Sequence, residues 1–482
     1  MSDTQTLYDA PQTVDPHDAQ TVSDEAPLTV DGYEPPPTEG GGDEYIPESS
    51  GGFPIRLVAI AGGALVLIIL IIVLIVRFMS GGRPPAEGNL TYWGLWESPD
   101  VMQPLIDEYQ KDHPKVKITY EMQSPIEYRE RLQAAIERGE GPDMFRFHNT
   151  WVPMLKGELA VVPQEVISSK ELSETYPAVM AHDLVSDNKF YGIPLMIDGL
   201  MLFYNKDLLA EIGSAPPTTW EEFEQTATAV TIRDGFGSIE RAGAAMGTAE
   251  NIEHFSDIVG LLLYQNGTNF NNLASTEAEN ALTFYTSFAQ SPTNVWDGTL
   301  DNSIVAFAGG KVAMIFAPSW EVFTIQAMNP NLNFATAPVP QIAGGDEVNW
   351  ASYWVEGVSA KSPNQETAFD FLKFLSSKES LEKLYQGQVA AGRPFGEPYP
   401  RVDMSDTLKD VEFVGPIAEQ SPKMRSWYLS SRTQDNGIND KIISYFKDAV
   451  NSINSGSSAE GALETAARGV VQVFEEYGLT PK

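Results

Sequence analysis

Cysteine is missing from the whole chain. Its absence removes disulfides, thiolate-bound zinc, iron–sulfur clusters, thiol nucleophiles and a lipid anchor on an N-terminal cysteine. Positive charge is scarce: 31 Lys and Arg stand against 66 Asp and Glu, and the formal net charge is −35. That balance argues against nucleic acid as a partner, because a phosphate backbone is held by clustered Lys and Arg. The acidity equally serves solubility. The five His, at 17, 113, 148, 182 and 254, are scattered. No Gly-x-x-x-x-Gly-Lys-Ser/Thr, His-Glu-x-x-His or Gly-x-Ser-x-Gly occurs, so phosphate-loop, zinc-protease and serine-hydrolase chemistry lack their signatures. A glycosidase needs only two carboxylates and is not removed on these grounds. No cofactor or resident metal is expected from these motifs.

What is present divides the 482 residues into parts. Residues 1–54 form an acidic tail with no Lys or Arg before Arg56 and with Pro35-Pro36-Pro37 and Gly40-Gly41-Gly42. Such a segment buries too little apolar surface to offset its ordering entropy, so disorder is expected. Tyr8, Tyr33 and Tyr45 lie along it, in a linker or a short docking motif. Residues 55–78 read as a transmembrane helix, because Leu57–Val76 carries no charge and Arg56 and Arg77 bracket it. Twenty residues at roughly 1.5 Å each cross a hydrocarbon core of about 30 Å. A cleavable signal peptide fits poorly, because the preceding segment is long and acidic. The flanking charges, Arg56 against Arg77 and Arg83, orient the helix only weakly. Residues 79–88 are a Gly- and Pro-rich linker.

From residue 89 to 482 the chain patterns as a folded domain. Leu90–Trp96 reads as a strand, Met102–Lys111 as a helix, and Val116, Ile118, Tyr120 and Met122 alternate as in a strand. Tyr128–Arg138 is helical again, and Gly141-Pro-Asp143 leads into a third strand. This order implies βαβ units and a parallel sheet, whose ligands bind beyond the C-terminal strand ends. Thr219-Trp-Glu-Glu222 and Ser362-Pro-Asn-Gln365 both read as capping boxes. The helix after the second places Ala368, Phe371, Leu372 and Leu375 at core spacing.

Tyr191-Gly-Ile-Pro-Leu-Met-Ile-Asp-Gly-Leu-Met-Leu-Phe-Tyr-Asn-Lys-Asp-Leu-Leu209 and Pro216-Pro-Thr-Thr-Trp-Glu-Glu-Phe223 carry a resemblance. Gly141-Pro-Asp143, the run from Ala306 to Trp320, and the run from Gly357 to Asn364 support it in shared order and spacing. The domain resembles the extracellular solute-binding proteins of ABC importers, in the maltose-binding-like, sugar-binding family. The resemblance implies an α/β, two-lobed periplasmic-binding-protein-like fold of type II. Its first lobe would be about 89–194 and 338–378, and its second about 198–336 and 379–482. Crossings are implied near Pro194–Ile197, Ala337–Gln341 and Ser376–Glu379. Sugar or another small solute, such as a peptide, polyol or anion, would bind between the lobes. ABC permease subunits would be the partner, and membrane lipid would contact residues 55–78. The resemblance also sets the orientation, with the tail inside and the domain outside. A sensor or adhesion receptor built on the same domain is the alternative.

A sugar packs its C–H faces on aromatic rings and offers hydroxyls to carboxylates, amides and Arg. By that chemistry and by the resemblance, the candidate ligand contacts are Trp96 and Glu97 at the first strand end and Phe147, His148 and Asn149 at the third. Asp198 beside the first crossing, Trp320 after Ala317-Pro-Ser, Arg393 and Trp427 join them. Of the dense group Trp350, Tyr353 and Trp354, alternation leaves open which faces the cleft; Tyr353 and Trp354 are carried as candidates. Asp143 reads as a structural turn acid. The loops Asp297–Asp301 and Asp435–Asp440 read as turns, with calcium as the alternative.

Overall fold

The computed structural model describes residues 86–479. The acidic tail, the 55–78 helix and most of the linker lie outside the described residues. No described helix is long and apolar enough to cross a membrane.

Ten strands build two five-stranded sheets. They are β1 Gly88–Gly94, β2 Val116–Met122, β3 Met144–His148, β4 Ile193–Pro194, β5 Met201–Asn205, β6 Ile232–Arg233, β7 Ile239–Ala244, β8 Val312–Ala317, β9 Phe334–Ala337 and β10 Trp354–Val358. The first sheet runs β2-β1-β3-β10-β4, and the second runs β9-β5-β8-β7-β6. β1, β2 and β3 are parallel, as the alternation of strands and helices implies, and β10 closes on β3 in antiparallel sense. Sequence pattern explains the layering. In β1, Leu90 and Tyr92 are buried while Thr91 and Trp93 are partly open. β3 and β8 are buried at every position, which requires cover on both faces.

Helices follow the expected periods. Pro99–Asp112 buries Met102, Leu105, Ile106 and Tyr109, and Tyr128–Arg138 buries Leu132, Ala135 and Ile136. Thr219 and Glu222 make both hydrogen bonds of a capping box. Ser362 closes no box: its hydroxyl donates to Asp143 and accepts from Asn364 N at 3.0 Å, its N–H donates to Ser359 O, and the helix starts only at Gln365. Asp143 also accepts from Thr91 N at 2.9 Å, the structural role its turn predicts. Helix Gln365–Leu375 buries Ala368, Phe371, Leu372 and Leu375. The two acidic loops are closed turns. Asp297 takes Thr299 N and its hydroxyl, and Asp435 takes the amides of Gly437, Asn439 and Asp440.

The passages between lobes differ from those implied. The first is as expected: the chain leaves β4 at Pro194, runs through Asp198, and enters β5 at Met201. The second comes later than Ala337–Gln341. Trp350 still packs on helix Phe255–Gln265 of the second lobe, and Ala351–Tyr353 carry the chain to β10. The third comes later than Ser376–Glu379. Helix Lys378–Ala390 packs on Pro99–Asp112 of the first lobe, with Lys383 2.6 Å from Glu108. Phe395 then packs on Phe323 of the second lobe at 4.8 Å, and Phe413 meets Phe334 of β9 at 4.9 Å. The Lys383–Glu108 pair and an apolar helix face, rather than any local signal, hold 378–390 to the first lobe.

Candidate functional site

The first two passages run side by side. Gly199 bridges to Ala351, Ser352 N donates to Asp198 O at 2.9 Å, and Leu200 N donates to Trp350 O at 3.1 Å. A Cβ on Gly199 would lie 1.9 Å from Trp350 O, so only glycine lets the two backbones meet. Alternate residues of 352–354 point to opposite faces, as extended chain requires. Ser352 Oγ meets His148 Nε2 at 3.1 Å, and Trp354 packs on the His148 ring at 5.2 Å. Tyr353 points the other way, its hydroxyl donating to Asp183 at 2.9 Å.

On the His148 side, the first lobe raises an aromatic wall. Trp96, 40% exposed, meets Trp354 edge-on at 5.9 Å, and Trp354 meets Trp151 at 5.3 Å. His148 Nδ1 is 2.8 Å from Thr150 Oγ1. Burial lowers its pKa to about 3, so the ring is neutral. The second lobe answers from the end of β8. Asp198 Oδ1 accepts from Gly199 N at 2.7 Å and Ser319 N at 3.1 Å, and Ser319 Oγ donates to its Oδ2. Burial raises Asp198 to about 7 against the pull of these donors. Trp320, half-buried, stands over His254 at 6.2 Å. His254 Nε2 lies 3.3 Å from Glu321 Oε1 and Nδ1 lies 3.7 Å from Asp257 Oδ2. Burial opposes its charge, but the two carboxylates outweigh burial and hold it at about 9.

A loop from the second lobe closes one flank. Ser431 Oγ sits 2.8 Å from His254 Nδ1, Arg129 Nε donates to Asp435 O at 2.6 Å, and Asn439 Nδ2 donates to Thr150 Oγ1 at 2.6 Å. The Ser430 and Thr433 hydroxyls of this loop are buried and lack a hydrogen-bond partner among the described residues. Trp151 Nε1 in the aromatic wall is the same. Each such group costs about 1–3 kcal/mol until something accepts or donates to it. At the outer edge Arg393 Nη2 donates to Trp96 O at 2.9 Å, and its guanidinium lies over Phe323 at 5.9 Å.

The expected residues therefore divide. Trp96, His148, Trp354, Asp198, Trp320 and Arg393 flank the passages on one side. Glu97 does not join them. It is buried on Arg146 at 2.6 Å, with Glu356 on the same guanidinium at 2.6 Å and Gln388 donating at 3.2 Å. Burial opposes its charge, but Arg146 prevails and holds Glu97 at about 2. Phe147 is fully buried between Gly192 and Gly357 in the first-lobe core, because β3 is covered on both faces. Asn149 and Tyr353 point to the opposite side of the passages, where Asn149 Nδ2 donates to Asp183 at 2.8 Å. Trp427 is there too, 4.6 Å from Phe270 and packed on Phe446 and Phe474. Trp151, Ser319, His254, Glu321 and the 430–433 hydroxyls carried no sequence signal of their own. Trp151, two residues after Asn149, was within reach of the strand-end argument; the others are gathered by tertiary folding. Among the described residues no group of three or more His, Asp or Glu is placed to hold a metal.

Comparison with known proteins fits this architecture. The chain is 21% identical over 296 residues to a maltotriose-binding protein of Pyrococcus abyssi, covering 59% of this chain and 61% of that one. It is 25% identical to a diacetylchitobiose binding protein of Streptomyces coelicolor, covering 62% and 71%. With a galactooligosaccharide-binding protein of Bacillus subtilis it shares 21% identity over 70% and 80%. These relatives are binding proteins, not enzymes. In fold, it matches the sugar-binding protein MalE of Xanthomonas citri with a TM-score of 0.67 at 20% identity, covering 81% of this chain and 98% of that one. A cyclo/maltodextrin-binding protein complexed with maltotetraose matches with a TM-score of 0.64 at 19% identity, over 82% and 98%. The profile of the bacterial extracellular solute-binding proteins matches residues 104–397, more than half of the chain, and the chain belongs to that family.

Proposed function

We propose that this protein captures a sugar or oligosaccharide between its lobes and delivers it to the permease of an ABC importer. The observation that carries the reading is the pair of walls, one from each lobe, on one side of the passages. Trp96 offers an exposed ring backed by the buried Trp354 and Trp151, and Asp198, Ser319, Trp320 and the 430–433 hydroxyls offer a ring face and oriented polar groups. That mixture suits the two surfaces of a pyranose. The names of the three relatives support the same class of ligand. A ligand touching both walls stabilises the closed arrangement in proportion to its contacts with both lobes. Residues 55–78 serve as a single-pass anchor, with the tail cytoplasmic and the domain outside, where solute is met.

Titration of the full-length chain with maltotriose, diacetylchitobiose, a galactooligosaccharide, polyols and peptides tests the assignment. Saccharide is expected to raise the melting temperature at one-to-one stoichiometry without turnover. A shift with peptides or charged small molecules alone would sink the sugar reading.

A further inference from the structure

Behind the passages, on the Tyr353 side, lies a second cavity of about 340 Å³. Its walls come from both lobes: Asn149 and Asp183 from the first, and Tyr264, Phe270, Trp427 and Tyr477 from the second. Asp183 forms the floor. Its side chain is 5% exposed, and it accepts from Asn149 Nδ2, Tyr353 OH and Ser426 Oγ. Every one of those donors is thereby locked in direction. The aromatic faces are set as well: Phe270 packs on Tyr264 at 4.5 Å and on Trp427 at 4.6 Å, and Tyr264 OH donates to Ser426 O at 3.0 Å. Amides of Asn269 and Asn271 stand on the exposed rim. Lys156 at the edge is paired with Asp187, so the cavity offers no unopposed cation to an anion.

Flat rings, amides at the rim and a carboxylate already met by His182 and by neutral donors are the partners of a hydroxylated ring, not of an anion or a purely apolar group. The volume stands at the lower end of the roughly 300–1,000 Å³ spanned by ligand pockets, enough for a small ligand of one or two rings. We propose that this crevice is a second carbohydrate site, separate from the cleft and holding one or two sugar units. It takes its ligand class from its own lining and rests on the cleft reading only for the coupling between sites. Because both lobes wall it, an occupant biases the angle between them. Reciprocity then requires that cleft ligand and crevice ligand change each other's affinity by the same factor.

The test uses hydrogen exchange of the full-length chain with millimolar maltotriose or diacetylchitobiose, in Trp320→Ala and in Asn271→Trp. Trp320→Ala weakens the cleft about tenfold, so protection that comes from closure alone moves to about tenfold higher sugar, while protection from the crevice does not. The crevice segments 264–271 and 426–428 are nonetheless expected to exchange at least threefold more slowly with sugar. Asn271→Trp places an indole at the rim from an exposed loop; it is expected to abolish that protection while the thermal shift from cleft binding persists. Crevice segments that exchange at the same rate with and without sugar in Trp320→Ala would overturn the second site and leave the cleft reading standing. Protection of the crevice without any Trp320-dependent thermal shift would do the reverse, supporting this site and removing the cleft assignment.

Discussion

His148 and His254 flank the same passages in opposite charge states. His148 meets two hydroxyls and is held neutral by burial, while His254 lies between Glu321 and Asp257 and stays charged. The signs of their pH dependence are therefore opposite. His148, depressed from 6.5 to about 3, contributes stability above pH 6.5 that is lost as pH falls toward 3. His254, raised from 6.5 to about 9, contributes stability below pH 6.5 that is lost as pH rises to 9. Replacing His254 with Ala leaves two buried carboxylates unopposed, and a loss of roughly 3–5 kcal/mol is expected in urea unfolding at pH 7. The same variant should flatten the stability profile between pH 6.5 and 9; an unchanged slope there would rule out a charged His254. Asp198 behaves as an acid raised from 3.8 to about 7, so its burial weakens the fold as pH climbs through that window. Asp198→Asn keeps an oxygen for the two amides and gives Ser319 a donor instead of an acceptor. The fold should persist without that slope, and saccharide affinity should fall. Trp320→Ala removes one half-buried ring and is expected to weaken saccharide binding about tenfold, about 1.4 kcal/mol, with little change in melting temperature.

Two turns of sequence grammar show what an element reveals by itself. The box at Thr219 forms because Thr219 and Glu222 need only each other, and Thr219→Ala should cost about 1 kcal/mol in denaturant unfolding. The box at Ser362 fails because its own N–H already donates to Ser359 O at 3.1 Å and the helix begins only at Gln365. The strands and their parallel order were legible on the same footing, since alternation and apolar runs are local. The later passages were not. They depend on where helix Lys378–Ala390 docks and on Trp350 seated against Gly260, where an added Cβ would stand 2.3 Å from the indole. Gly260→Ala should therefore cost about 1–3 kcal/mol, read as a lower urea midpoint. Candidate contacts divided for a related reason. A strand end says that side chains emerge at the cleft edge, but β10 pairing with β3 decides that Trp354 turns to one face and Tyr353 to the other. Glu97 was legible as a strand-end acid and illegible as the partner of Arg146, which is contributed by another strand.

Side chains tie the domain across its lobes. Arg129 Nε to Asp435 O and Asn439 to Thr150 are side-chain links between the 429–440 loop and the first lobe. Arg129→Ala removes one of them, and bound saccharide should dissociate several-fold faster in stopped-flow fluorescence; an unaltered rate would mean that the link does not hold the lobes together. Topology is tested by protease treatment of intact cells, where complete protection of residues 88–482 would reverse the proposed orientation. One further consequence follows from β1. It begins at Gly88 and pairs with β2 in register from Gly88 and Val116 to Gly94 and Met122. On the proposed anchoring, a pull along β1 would load this ladder in shear, its bonds resisting together instead of unzipping singly. The first lobe would bear the drag on a tethered molecule, and the second, untouched by that force, would stay free to swing.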